Sequence, residues 1–386
     1  MTAVASDASL LASILGDIAA LVGCESPSSD LDAVARSADV VAQVGMQRLA
    51  VRPERIVIDG RSHLRWRWGD DLPRVLVLGH HDTVWPIGTL ETHPCRVRDG
   101  VLRGPGCVDM KAGLVIAFHA IAGLPDRTGI SLLITGDEEL GSPSSRALIE
   151  REATGCDAVL VLESAADGGA LKTERKGVSI YQVAVTGRAA HAGLAPETGV
   201  NAAIELAHQV LAVAALADPA RGTTVTPTVL SAGSARNTVP ARAELAVDVR
   251  VRESAEQTRV DDAIRALRPA VPGAAIDVTG GANRAPLESV ASCALYDRAV
   301  ALADELGLPR LARASVGGAS DGNLTAGIGV PTLDGLGATG GGAHADDEHV
   351  DVTDLVGRTA LVGALIADIL RRPVFAGPSR SSAGGR

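Results

Sequence analysis

Three apolar runs in this chain end in side chains that can bind a cation or move a proton. Arg74–Gly79 (RVLVLG) is followed by His80-His81-Asp82, ISLLITG by Asp137-Glu138-Glu139, and DAVLVL by Glu163. The segment GPGCVDMKAG places Asp109 just before a helical pattern, and GATGGGAHADDEH adds His344 and His349. Carboxylates gathered in one place repel, and each raises the pKa of the next unless a cation compensates. One or two divalent metal ions are the economical answer. Imidazole with carboxylate suits Zn²⁺, with Mn²⁺ or Co²⁺ as substitutes. Register alone leaves His81 as an alternative to His80, and His349 as an alternative to His344.

For these groups to meet, their runs must be neighbouring strands that end at one edge of a sheet, where open α/β sheets collect ligands. Helical patterns at 111–122 and 144–152 separate the runs, and the alternation resumes late in the chain: a helix from Cys293 to Leu306, a strand near Val330–Leu333 and a helix from Thr353 to Leu370. Buried strands alternating with helices predict a three-layer α/β domain. The middle differs. From Gly177 it reads strand, helix (Val200–Leu216), two strands, helix (Ser254–Leu267) and strand, the β-α-β-β-α-β order of a ferredoxin-like split motif. The expected organisation is therefore a first part over 1–176, an inserted unit over 177–287, a second part over 288–372 and a disordered tail over 373–386.

Bulk properties exclude other classes. The 386 residues hold 36 basic and 46 acidic side chains, a formal charge of -10, and only seven aromatic rings. That balance lacks the electrostatic footprint and stacking surface of a nucleic-acid binder. No apolar stretch approaches the roughly 18 residues of a membrane span. The N-terminal segment reads as an amphipathic helix capped near Ser6 or Asp7, with no basic region of a secretion signal. Five cysteines without a C-x-x-C pair favour a reducing compartment, so a cytoplasmic location is expected.

In order and spacing, the motifs resemble the zinc-dependent aminoacylase and carboxypeptidase family of metallopeptidases, of the glutamate carboxypeptidase type. The resemblance runs from about His80 to Val350. It is carried by His80-x-Asp82-Thr83-Val84, by Gly104-Pro105-Gly106-x-x-Asp109-x-Lys111, and by Asp137-Glu138-Glu139-x-Gly141-Ser142, with Glu163, His191, Asn237, Arg250 and His344 completing it. Ala112 departs from it, standing where many relatives have glycine.

The resemblance implies two Zn²⁺ ions bridged by Asp109, one also held by His80 and Glu163, the other by Glu139 and His344. It implies Asp82 as the residue that orients His80 and Glu138 as the general base. A water shared by the metals would then be acidic, with a pKa of roughly 7, and would attack the amide before a C-terminal carboxylate-bearing amino acid. An inserted ferredoxin-like lid, a homodimer formed through it, and His191 of that lid as oxyanion donor are implied as well. Arg250, Asn237 and the more loosely aligned Arg284 are the implied carboxylate-binding residues. Ser320 and Asp321 fall in the family's pocket loop, and Trp85 is a candidate pocket wall. The expected ligand is a small peptide or an N-acyl amino acid, with no nucleic acid and no membrane partner. An N-acyl-amino-acid deacylase or dipeptidase on the same scaffold is the alternative activity.

Overall fold

The computed structural model describes residues 2–69 and 72–374, with only the backbone of residues 2–6. The C-terminal part of the expected tail, from residue 375, lies outside the described residues. Contacts divide the chain into two compact units. The second takes Glu174–Glu288 and Val316–Ala319, and the first takes the remaining described residues.

The first unit is built on a six-stranded sheet. Its order is Glu54–Ile58, Arg61–Arg67, Ile130–Thr135, Val75–His80, Ala158–Val161 and Thr332–Leu333. The four strands from Ile130–Thr135 onward run parallel, and Arg61–Arg67 joins them antiparallel. Alternation along one strand explains the layers, because successive side chains point to opposite faces. Val75 and Val77 pack with one cluster, which includes helices Ala112–Ala122 and Leu355–Arg371. Leu76 and Leu78 pack on the other face, against Leu148, Ile149 and Leu324. The three-layer α/β expectation therefore holds.

Two segments stand apart from the sequence reading. The first helix runs Thr2–Val22 and so begins ahead of the Ser6–Asp7 cap. A hairpin over Glu54–Ile58 and Arg61–Arg67 turns at Asp59 and Gly60, both at positive φ (+50° and +77°). That is the geometry an Asp-Gly pair favours.

The second unit has the ferredoxin-like order. Its antiparallel sheet runs Thr224–Ala232, Arg242–Val251, Gly177–Thr186, Ala275–Arg284, with helices Ala202–Ala214 and Ser254–Arg265. Asn201 caps the first helix by accepting from the N–H groups of Ala203 and Ile204. The core is aliphatic, as the scarcity of rings requires. Tyr181 is its large exception, and its hydroxyl donates to Asp261 at 2.8 Å.

Candidate metal centre

The strand Val75–His80 ends on His80, whose imidazole is buried and points at carboxylates from two other segments. Its Nε2 lies 3.3 Å from Asp109 Oδ1 and 3.6 Å from Glu163 Oε1. His344 approaches Asp109 from the opposite oxygen: its Nε2 is 3.3 Å from Asp109 Oδ2 and 3.2 Å from Glu139 Oε2. Asp109 thus stands between two imidazoles, one on each carboxylate oxygen. A potential ligand atom of each of His80, Asp109 and Glu139 lies within 4.8 Å of the others, and the same is true of His80, Glu138 and Glu163. Glu138 is therefore as close to the cluster as the residues expected to hold metal.

Main-chain contacts set these positions. Glu163 follows the strand Ala158–Val161, and its carbonyl accepts from Gly337 N–H at 2.8 Å. Gly113, at the start of the helix Ala112–Ala122, approaches the same segment so closely that a Cβ there would stand 2.0 Å from Leu162 O. His344 itself sits at φ +65°, a left-handed conformation that costs a non-glycine residue about 1–3 kcal/mol.

Electrostatics mark the cluster as one that demands positive charge. Burial opposes a charged His80, yet the carboxylates of Asp109, Asp82 and Glu163 outweigh it and hold the imidazole pKa well above normal. The Asp109 and Glu139 carboxylates raise His344 to about 10. Burial works to raise Asp109 too, but His344 and His80 hold it well below the carboxylate range. Glu139 is pushed up, chiefly by burial. His80 Nε2 is buried and makes no hydrogen bond of its own. An orphaned imidazole nitrogen facing carboxylates from two other segments is the donor set that a divalent cation fits.

His80 is aimed by its neighbour. Its Nδ1 lies 3.0 Å from the main-chain oxygen of Asp82 and 3.4 Å from that residue's carboxylate. With the hydrogen on Nδ1, Nε2 keeps its lone pair for a metal. The Asp82 carboxylate, fully buried, also accepts from Ser28 Oγ at 2.6 Å.

The alternative histidines point elsewhere. His81 places Nδ1 3.2 Å from Ser37 Oγ and Nε2 3.0 Å from Ser62 O, and burial lowers it to about 4. His349 puts Nδ1 2.8 Å from Asp347 O, on a short strand beside Gly341. Ser320 and Asp321 are both buried. Asp321 accepts from Ser142 and, at 3.3 Å, from Thr135, beneath the turn Glu138–Leu140.

The remaining expected residues belong to the second unit. His191 is exposed, and its Nδ1 accepts the backbone N–H groups of Gly193 at 3.2 Å and Leu194 at 3.1 Å. Its strand segment pairs with the one holding Asn237, whose carbonyl accepts from Ala192 N–H at 2.9 Å. Arg250 is half-buried and already paired: Nε and Nη2 each donate to the Asp248 carboxylate at 2.9 Å. Arg284 is buried at the end of its strand.

One further residue, in the Asp347-Glu348-His349-Val350 stretch after His344, has no role assigned from the sequence. Glu348 is buried, and its carboxylate accepts from the loop that carries Asp109. Its acidic neighbours Asp346 and Asp347 disguise it, because nothing local distinguishes a buried acid from a solvated one.

Comparison with known proteins identifies the family and the fold. The profile of Peptidase family M20/M25/M40 matches residues 76–368. Carboxypeptidase G2 of Pseudomonas sp. (strain RS-16) is 33% identical over 79% of this chain and 75% of its own length. Succinyl-diaminopimelate desuccinylase of Xanthomonas euvesicatoria pv. vesicatoria (strain 85-10) is 28% identical over 88% of this chain and 97% of its own. The Bacillus subtilis YXEP protein, a dinuclear metal binding peptidase, superposes with a TM-score of 0.65 at 12% identity, covering 94% of this chain and 99% of that one.

Proposed function

Because the chain belongs to Peptidase family M20/M25/M40 and is a hydrolase of the metallopeptidase and aminoacylase kind, we propose that it cleaves the amide bond preceding a C-terminal carboxylate-bearing amino acid, in the manner of a glutamate carboxypeptidase. The observation that carries this reading is Asp109, with His80 on one oxygen and His344 on the other, each at 3.3 Å. Two Zn²⁺ ions are the proposed complement, with Co²⁺ or Mn²⁺ as substitutes. His80, Asp109 and Glu163 would hold one, and Asp109, Glu139 and His344 the other. When bound, such a pair supplies Lewis-acid polarisation of the scissile carbonyl and a water made acidic near neutral pH.

The chain's own groups carry the rest of the reaction. Glu138, 8% exposed beside the cluster, takes a proton from the attacking water and returns it to the leaving amine. Asp82 fixes His80 in the tautomer whose Nε2 is free to ligate. His191 is the oxyanion donor. With Nδ1 accepting two backbone N–H groups, its hydrogen sits on Nε2, an N–H already oriented before charge develops on the substrate.

The second unit is proposed as a lid that carries the carboxylate subsite and makes a homodimer, so that His191 comes from the lid of a second copy. Support for an interface comes from apolar side chains exposed on this unit: Leu211 at 71%, Val229 at 66% and Leu230 at 51%. The last two lie on its edge strand. The carboxylate subsite would use Arg250, Asn237 and Arg284, since a guanidinium fork matches a carboxylate.

The likeness to a desuccinylase supports a second reading, an N-acyl-amino-acid deacylase or dipeptidase with the same metal core. Turnover of N-acyl-glutamate, N-acyl-aspartate, N-acyl-aromatic and dipeptide substrates by the zinc-loaded protein separates the two. A higher kcat/KM for C-terminal acidic residues is expected. Equal or better turnover of the aromatic or neutral substrates selects the second reading.

A further inference from the structure

Glu348 is only 4% exposed, yet its carboxylate meets four N–H donors. Oε2 accepts from Trp85 Nε1 at 2.7 Å and from Gly106 N at 2.8 Å. Oε1 accepts from Val108 N at 2.9 Å and Asp109 N at 3.2 Å. Those donors come from two segments, one just beyond His80-His81-Asp82 and one carrying Asp109. Glu348 itself stands four residues after His344, in a turn where Glu348 N–H donates to Ala345 O at 2.9 Å and Ala345 N–H to Gly342 O at 2.8 Å. A single buried carboxylate therefore ties together three stretches of chain, each holding a residue of the cluster.

We propose that Glu348 is a positioning residue of the metal centre, holding the backbone of the Asp109 loop and the His344 turn in register so that Asp109 can present one oxygen to each side. The inference rests on the metal-centre reading above and extends it to a residue that touches neither metal nor substrate. Charge and shape both matter. Four N–H groups converging on one side chain need two acceptor oxygens. The isosteric Gln keeps one of them and turns an NH₂ toward donors, while Ala removes both.

The test is calorimetric titration of metal-free full-length protein with Zn²⁺, alongside the visible spectrum of the Co²⁺-loaded form, for wild type, Glu348→Gln, Glu348→Ala and Trp85→Phe. Glu348→Gln is expected to weaken Zn²⁺ binding by about 10–100-fold and to alter the Co²⁺ spectrum at saturating metal, with the metal-free melting temperature close to wild type. Trp85→Phe, which removes one donor and leaves the loop's three, is expected to change affinity less than Glu348→Gln does. Wild-type Zn²⁺ affinity and Co²⁺ spectrum in Glu348→Gln would overturn the inference while leaving the metal centre standing. A wild type that binds no Zn²⁺ would instead sink the metal-centre reading. Should the variants fail to fold, hydrogen exchange of the wild type decides: the Gly106, Val108 and Asp109 amides should exchange slowly, and exchange at the rate of open loops refutes the clasp.

Discussion

Asp82 Oδ2 accepts the backbone N–H of Glu139 at 3.2 Å, and its Oδ1 accepts that of Glu138 at the same distance. One buried carboxylate thus seats two consecutive acids that the proposed chemistry assigns to different tasks. Asp82 sits at the end of one strand segment and the Glu pair at the end of the neighbouring one, so the bond spans parallel strands where their loops diverge.

Asp82→Asn replaces one acceptor with an NH₂ group that faces an N–H. The Glu138–Leu140 turn then loses an anchor, while His80 keeps its contact to the main-chain oxygen of residue 82. A fall in kcat of about 10–100-fold is expected, with zinc content much less affected. Steady-state kinetics and metal analysis on the same preparation check this. Unchanged kcat would show that the bond to the turn is idle.

Glu138→Gln keeps the shape of the proposed base and removes its proton affinity. Turnover should fall by about 10²–10⁴-fold, the usual contribution of general acid–base catalysis, with two zinc ions retained. Loss of one zinc equivalent would make Glu138 a ligand, a role its proximity to His80 and Glu163 permits.

The neutral form of the His191 ring should be the Nε2–H tautomer. Nitrogen-15 NMR of histidine-labelled protein reads this directly, with His191→Gln identifying the resonance. A ring that carries its hydrogen on Nδ1 contradicts the acceptor geometry toward Gly193 and Leu194.

Gly113→Ala pushes a methyl group against Leu162 O, where the ideal Cβ lies at 2.0 Å. Because backbone must yield rather than a flexible side chain, a loss of about 1–3 kcal/mol is expected. Denaturant unfolding measures it. The neighbouring Ala112 is buried without that conflict, which fits a residue larger than glycine there.

Glu256 predicts an acid-sensitive element in the second unit. Hydrogen bonds from Arg259, then Thr223 and Arg221, hold its carboxyl at about 2 against an ordinary 4.5. Folding keeps the proton off, so unfolding takes one up between these two values. The stability contributed is complete above pH 4.5 and is lost as pH falls toward 2. Glu256→Gln should flatten the pH dependence of the melting temperature over that window. An unchanged slope would assign the acid sensitivity to other groups.

The candidate cluster is legible because each member follows an apolar run or a Gly-rich loop. Parallel strands then bring His80 and Glu163, 83 residues apart in sequence, to one edge. The ferredoxin-like insertion was legible for a similar reason, since its strands alternate and its helices keep their period. Glu348 was hidden because its four donors come from residues more than 200 positions away. The family resemblance implies Asp82 as an orienter of His80, and its second duty toward Glu138 and Glu139 depends on loop geometry that no spacing encodes. The hairpin at Asp59-Gly60 did carry its own turn signal. Its first strand is mostly exposed, however, and lacks the apolar run that marked the central strands.

Arg250 reaches its solvent-facing side already neutralised by Asp248, two residues back on the same strand. An anion that takes this guanidinium must exchange with a tethered carboxylate, so the observed affinity is a ratio of two interactions rather than the strength of one. Weakly basic or poorly shaped anions lose that contest. Releasing Asp248 also frees a negative charge nearby, which disfavours ligands carrying a second one. The strand thus contains its own standard of comparison, and under the proposed carboxylate subsite discrimination among acids would begin there before any bond is broken.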